Sequence, residues 1–230
     1  MSDKGKNQAG ENLVIDETIS KAEGYLEENK KSISIIGGAI LLVILGYFGY
    51  ENLIVKPQEV NAQKEMFMAE RYFQQDSVDK AMNGDGQFMG FQEIIDSYGS
   101  SNSANLAHYY MGMCYMKKGQ WDSAIEYLSK YDAEDDITGA LALGAIGDAN
   151  LELGKNDEAE KFYMKAVDYD NNQFTASIFL MKAAFVKELN KDFKGASVLY
   201  ERIKKDYPQS TEARDIDRYI ARANAVATQG

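Results

Sequence analysis

The chain has 230 residues and a formal net charge of -11, with one Cys, one His and two Pro. So acidic a chain has no basic patch to displace counterions from a nucleic acid. Its lone Cys114 and lone His108 exclude an intrachain disulfide and a Cys and His zinc cluster and leave no His-assisted triad beyond the one imidazole, although a single thiol is compatible with an oxidising compartment.

Residues 1–31 open with a polar tail, MSDKGKNQAGEN, whose composition predicts disorder. From Leu13 the pattern changes. Ile15, Ile19, Ala22 and Leu26 recur at helical spacing, which predicts a short amphipathic helix lying at a membrane interface or meeting a cytoplasmic partner.

Residues 32–54 predict a transmembrane helix. From Ser32 to Tyr50 no residue is charged, and this run is about 28 Å long at about 1.5 Å per residue, close to a bilayer core of about 30 Å. The residues that precede it, and its length, favour a retained anchor over a cleaved signal peptide. No Cys near its end marks a lipoprotein signal. Lys30 and Lys31 abut the run on its N-terminal side and Glu51 follows it, so the basic-residue rule places the N-terminus in the cytoplasm; Lys56 and Lys64 weaken the asymmetry. Ser34, Gly38 and Gly46 share one helical face. That face is either a close contact for another membrane helix or the ordinary glycine content of such helices. Tyr47 and Tyr50 read as interfacial anchors.

After a connector ending near Pro57, helical periodicity continues to the last residue, so residues 55–230 are predicted to be all-α. A repeat runs through this part. Gly112 is followed by Gly119, Ala124 and Leu128, and Gly147 by Gly154, Ala159, Tyr163 and Ala166; Gly112 and Gly147 are 35 residues apart. A third copy keeps Ala184, Ala196 and Tyr200, closed by Pro208. Period and residue types resemble the tetratricopeptide repeat, a helix-turn-helix unit of about 34 residues. Small residues at 112, 124, 147 and 159 would let the two helices of a unit approach, with Tyr115, Leu128 and Tyr163 filling the space between units. Asn150, where an aromatic is usual, and Lys187 and Lys191 depart from the pattern. Tyr98, Ser101 and Ala104 repeat as Tyr207, Ser210 and Ala213. The expected layout is therefore hairpins at about 59–98 (turning near residues 84–86), 104–131, 138–168 and 174–205, with a terminal helix at 210–227 that caps the array.

Motifs with catalytic or ligand-binding spacing are not found. GDGQFMG at residues 84–90 has the wrong spacing for a dinucleotide loop and reads as a turn. Asp168, Asp170 and Asn172 imitate a calcium loop, yet Gln173 replaces its Gly and Phe179 its Glu. Acidic residues 132–136 suit a helix N-terminus. No catalytic, cofactor-binding or metal residue is expected, and the chain is not expected to be an enzyme.

In a tetratricopeptide array the first helix of each unit lines a groove. The resemblance implies that Leu106, Tyr109, Met113 and Met116 in one unit, Leu141, Asp148 and Leu151 in the next, and Ile178, Met181 and Phe185 in the third face it. This set is apolar and rich in Met, which suits a groove for hydrophobic peptide segments. The alternative is that a short array closes on itself and these residues are core. The carboxylate clamp of cytosolic chaperone adaptors is absent.

An amphipathic N-terminal helix, a basic pair, a glycine-containing membrane helix and tetratricopeptide hairpins together resemble the YfgM family over most of the chain. That resemblance implies a bacterial inner-membrane protein, single-pass, with its repeats in the periplasm. It further implies an ancillary Sec translocon subunit whose partners are translocon subunits, a periplasmic chaperone of the prolyl-isomerase type or exported polypeptides, with no cofactor and no nucleic acid. A general envelope assembly scaffold and an organelle receptor with cytosolic repeats are the alternatives.

Overall fold

The computed structural model describes residues 29–228. It divides into two compact units, Met1–Val55 and Lys56–Gly230; the amphipathic stretch expected at residues 13–26 lies outside the described residues.

In the first unit, helix α1 spans Lys30–Tyr50 and has no buried residue. Its 21 residues give a length of about 31 Å, so this helix is long and apolar enough to cross a membrane. Ser34, Gly38 and Gly46 are all exposed on it, and nothing lies within 4 Å of a Cβ built on either glycine. A π-helical turn, Glu51–Val55, follows, where Asn52 Nδ2 donates to the Phe48 carbonyl at 2.7 Å.

The second unit is built from paired helices, and among the described residues it holds no strand. Helix α2 (Lys56–Gln74) pairs with a broken leg, α3 (Val78–Asn83) and α4 (Phe91–Ser97). Helix α5 (Asn102–Lys117) pairs with α6 (Trp121–Leu128), α7 (Asp136–Glu152) with α8 (Asn156–Tyr169), and α9 (Thr175–Leu189) with α10 (Phe193–Asp206). A 3-10 turn at Glu212–Asp215 leads into α11 (Ile216–Ala227), which lays Ile216, Tyr219, Ile220 and Ala223 against the core of the last pairs.

All four reversals use the same stop signal. One residue takes a left-handed backbone: Asp76 (φ 58), Gly119 (φ 67), Gly154 (φ 72) and Lys191 (φ 63). The next amide then donates to a carbonyl five residues back, Ser77 to Tyr72, Gln120 to Tyr115, Lys155 to Asn150 and Asp192 to Lys187, at 2.8–3.0 Å. This closes the orphan carbonyls of each first helix. The first reversal thus falls at Asp76, not near residues 84–86. That later loop interrupts the second leg instead: a Cβ on Gly90 would strike the backbone of Asn83 at 2.6 Å. Asp85 holds the loop, accepting from the Gln87 and Phe88 amides at 3.0 and 2.9 Å and from the Tyr72 hydroxyl at 2.7 Å. Those bonds keep its carboxyl well below the usual range, at about 2.

Within the second, third and fourth pairs, a small residue on the first helix receives a large one from the second. A Cβ on Gly112 would lie 2.5 Å from Leu128 Cγ, and one on Gly147 2.6 Å from Tyr163 Cε1. In the last pair Ala184 and Tyr200 are both fully buried. Leu128 and Tyr163 therefore fill space inside their own hairpins, where the sequence pattern had placed them between units; the sixteen-residue offset is the reach from one helix across to its partner.

The departures from the repeat pattern have local reasons. Asn150 is buried and returns its side-chain amide to the Ile146 carbonyl at 2.9 Å, so the polar group is satisfied within its own helix. Lys187 bridges Glu160 of the preceding hairpin at 2.9 Å and Asp192 of its own turn at 3.2 Å. Asp192 in turn caps α10 through the Gly195 amide.

Two predictions follow from packing and turn geometry. Replacing Gly147 by Leu forces Tyr163 out of its site and is expected to lower stability by about 2–4 kcal/mol, read by urea denaturation of the full chain in detergent. Lys191→Gly is expected to raise stability by up to about 1 kcal/mol, because the left-handed backbone disfavours a Cβ while glycine restores some freedom to the unfolded chain; a fall in the urea midpoint would refute that assignment.

Candidate functional site

The first helices α2, α5, α7 and α9 share one face of the unit, and the residues singled out from sequence are distributed unevenly on it. Leu141, Ile178 and Phe185 are exposed, at 39%, 39% and 40%. Leu106 packs half-buried on the N-terminal core cluster, Tyr109 and Met113 on a small cluster around Leu128, and Leu151 and Met181 on the C-terminal cluster. Met116 is half-buried. Phe185 leans edge-on to Tyr219 of α11, with ring centroids 5.8 Å apart.

Asp148 sits in the middle of this face as a structural junction. It accepts from the Tyr163 hydroxyl at 2.7 Å and from Lys182 Nζ at 2.7 Å on each carboxylate oxygen, tying α7 to α8 and α9. The lysine also lies 5.7 Å from the Tyr163 ring and 5.8 Å from the Phe179 ring. Burial, with Asp148 beside it, pushes the Tyr163 hydroxyl far above the ordinary tyrosine range. The phenol remains a neutral donor.

Sequence reasoning missed a cleft of about 500 Å³ at one end of the same face. Phe67, Glu59 and Glu70 on α2, Leu106 on α5, and Tyr131 and Glu134 between α6 and α7 belong to its wall. Phe67 is 64% exposed. The signal was present in the register of α2, where Glu59, Gln63, Phe67 and Glu70 fall on one helical stripe. It was hidden because the other walls come from 32 to 79 residues further along the chain.

No group of three or more His, Cys, Asp or Glu is placed to hold a metal ion among the described residues. Cys114 is buried, and burial pushes its thiol up to about 12, so it is neither a thiolate nucleophile nor a ligand at neutral pH. His108 is half-buried beside Tyr127, with burial first and Lys130 second lowering its pKa. Its Nδ1 is buried without a hydrogen-bond partner, so among the described residues no carboxylate orients the ring through that nitrogen.

The comparisons agree with this geometry. Tetratricopeptide-repeat signatures match residues 106–131, 140–173 and 179–210. No curated protein sequence matches the chain. Among solved structures, it is similar to a Podosopora anserina protein described as a kinesin light chain with nearly identical TPR-like repeats, at 16% identity and a TM-score of 0.54, covering 74% of this chain and 87% of that one. It is also similar to MamA protein, at 18% identity and a TM-score of 0.53, covering 73% and 88%. At such identities the likeness is one of fold. The second unit is a tetratricopeptide-repeat array, an architecture that mediates protein–protein interaction.

The Asp148 junction gives a direct test of what holds the face. Asp148→Ala is expected to cost about 1–3 kcal/mol, since it leaves the buried Tyr163 hydroxyl without an acceptor. Lys182→Met should cost less than about 1 kcal/mol, because both ends of that ion pair are about one-third exposed. Equal losses in urea denaturation would show that the ion pair, not the tyrosine, matters.

Proposed function

We propose that this chain is a membrane-anchored adaptor of the bacterial inner membrane that presents its repeats to the periplasm and works as an ancillary subunit of the Sec translocon. Its partners are translocon subunits, a periplasmic chaperone and exported polypeptides. The observation that carries the reading is the pairing of one apolar span with a repeat array whose first-helix face leaves Leu141, Ile178 and Phe185 open to solvent. Apolar groups gathered on an otherwise acidic surface favour apolar partner segments by burial. Lys30 and Lys31 at the start of α1, against Glu51 after it, support a cytoplasmic N-terminus. Ser34, Gly38 and Gly46 offer a face on α1 for a close helix contact within the membrane.

In this arrangement the anchor fixes the array close to the exit of the translocation channel. The exposed stripe then takes apolar stretches of chains that have not yet buried them. Tetratricopeptide arrays bind without chemistry, so the working parts are shape, apolar area and charge.

The test is crosslinking in living cells with a photoreactive residue in place of Ile178, which is exposed, followed by mass spectrometry of the membrane fraction. Translocon subunits, periplasmic chaperones or exported precursors among the products are the expected result. Envelope proteins unrelated to secretion would make the chain a general scaffold, and cytosolic proteins alone would reverse the topology.

A further inference from the structure

The cleft missed by sequence reasoning differs from the apolar stripe in its charge. Four carboxylates line it, from Glu59, Glu70, Glu134 and Asp135, and no Lys or Arg does. Two of the four are engaged by the fold. Glu59 accepts from the Ser103 amide at 3.1 Å and hydroxyl at 2.8 Å, and so holds the start of α5 against α2. Asp135 caps α7 by accepting from the Thr138 amide at 2.9 Å.

Among the described residues the other two have no cation. Glu134 is exposed on the loop before α7 and Glu70 is half-buried one helical turn beyond Phe67; neither forms an ion pair among the described residues. Burial raises the Glu70 pKa, opposed only by its hydrogen bond with Tyr110. A carboxylate desolvated in this way gains from any cation that enters beside it. Phe67, at 64% exposure, provides a large apolar surface between them, with Leu106 and Tyr131 across the cleft.

We propose that this cleft receives a protein segment in which a Lys or Arg stands beside a large apolar side chain, the apolar group lying on Phe67 and Leu106 and the cation reaching Glu70 and Glu134. The proposal rests on the reading of the array as a protein-interaction module and names one site on it and the chemistry of its occupant. Charge complementarity selects that occupant: an acidic or purely apolar segment would leave Glu70 desolvated without a counter-charge. It also separates the two ends of the face, an acidic–aromatic end at α2 and an apolar end at α7 and α9.

The full chain in uncharged detergent micelles is titrated into three fluorescein-labelled ten-residue peptides, with Lys and Phe, Glu and Phe, or Lys and Ser in alternation, and binding is read by anisotropy. The Lys and Phe peptide is expected to bind best. A combined Glu70→Gln and Glu134→Gln variant should weaken it about tenfold or more, equivalent to about 1.4 kcal/mol. Phe67→Ser should weaken it similarly, and Val198→Ser, at an exposed position of α10 outside both the cleft and the apolar stripe, should leave it unchanged. Glu134 and Phe67 are exposed and Glu70 is half-buried, and circular dichroism checks that the variants keep their helices. Equal binding of the Glu and Phe peptide, or unchanged binding by the cleft variants, overturns the proposal. If the peptides fail while the Ile178 crosslinks succeed, the cleft is wrong and the adaptor reading stands; if the peptides bind as expected and the crosslinks fail, the reverse holds.

Discussion

Close approach between the two helices of the second, third and fourth hairpins is the constraint from which the rest of the second unit follows. It is set by a missing or minimal side chain, Gly112, Gly147 or Ala184, facing a bulky one, Leu128, Tyr163 or Tyr200. Dense packing at that crossing fixes the register of both helices, and register decides which residues of the first helix stay outside. Leu141 and Asp148 are on the outer face because Gly144 and Gly147 are turned inward against Phe179 and Tyr163. The interaction face is thus a by-product of where the small residues fall.

Polar groups then finish what packing begins. On the edge where the hairpins turn, each unit reaches the next: Lys117 to Asp76, Lys118 to Asp79, Lys155 to Asp122, and Asn190 to Asp157. These contacts are exposed and individually weak. Their regularity matters more than their strength, since like positions pair at each junction and resist a slip of one hairpin against its neighbour. On the opposite edge Glu59 of α2 holds Ser103 of α5, and Glu212 of the 3-10 turn holds Ser177 of α9, each linking a first helix to a neighbouring element.

The repeat was legible because its physics is local. A glycine, a turn glycine seven residues on and a large residue sixteen residues on describe one hairpin, and the eye can find that ruler in Gly112 and again in Gly147. The first hairpin was harder. Asp76 makes the left-handed turn that glycine makes in the second and third hairpins, while Gly84, Gly86 and Gly90 advertise a reversal and instead break the second leg. Lys187 looked like a defect until its partners Glu160 and Asp192 were in view. Of the ten face residues named from the sequence, the structure leaves Leu141, Ile178 and Phe185 open and packs Leu106, Tyr109, Met113, Leu151 and Met181 against core clusters. Exposure of a first-helix residue depends on its neighbours in other hairpins, which periodicity within one helix does not report. The cleft was illegible for the same reason, as its walls come from three separate stretches of chain.

One feature of the array has mechanical weight. Helix α6 is eight residues long where α8 and α10 have fourteen, and a gap of about 280 Å³ opens beyond its end, beside Phe162 and Tyr169. The buried apolar groups accordingly fall into a cluster running from Ala62 to Cys114 and another from Ala140 to Ala223, with a smaller one of Leu128, Ala142, Ala145 and Ile146 between them. In a linear array stability is transmitted from neighbour to neighbour, so a thin joint divides the cooperative unit. A load applied at one end of the array is therefore expected to bend it first at this joint.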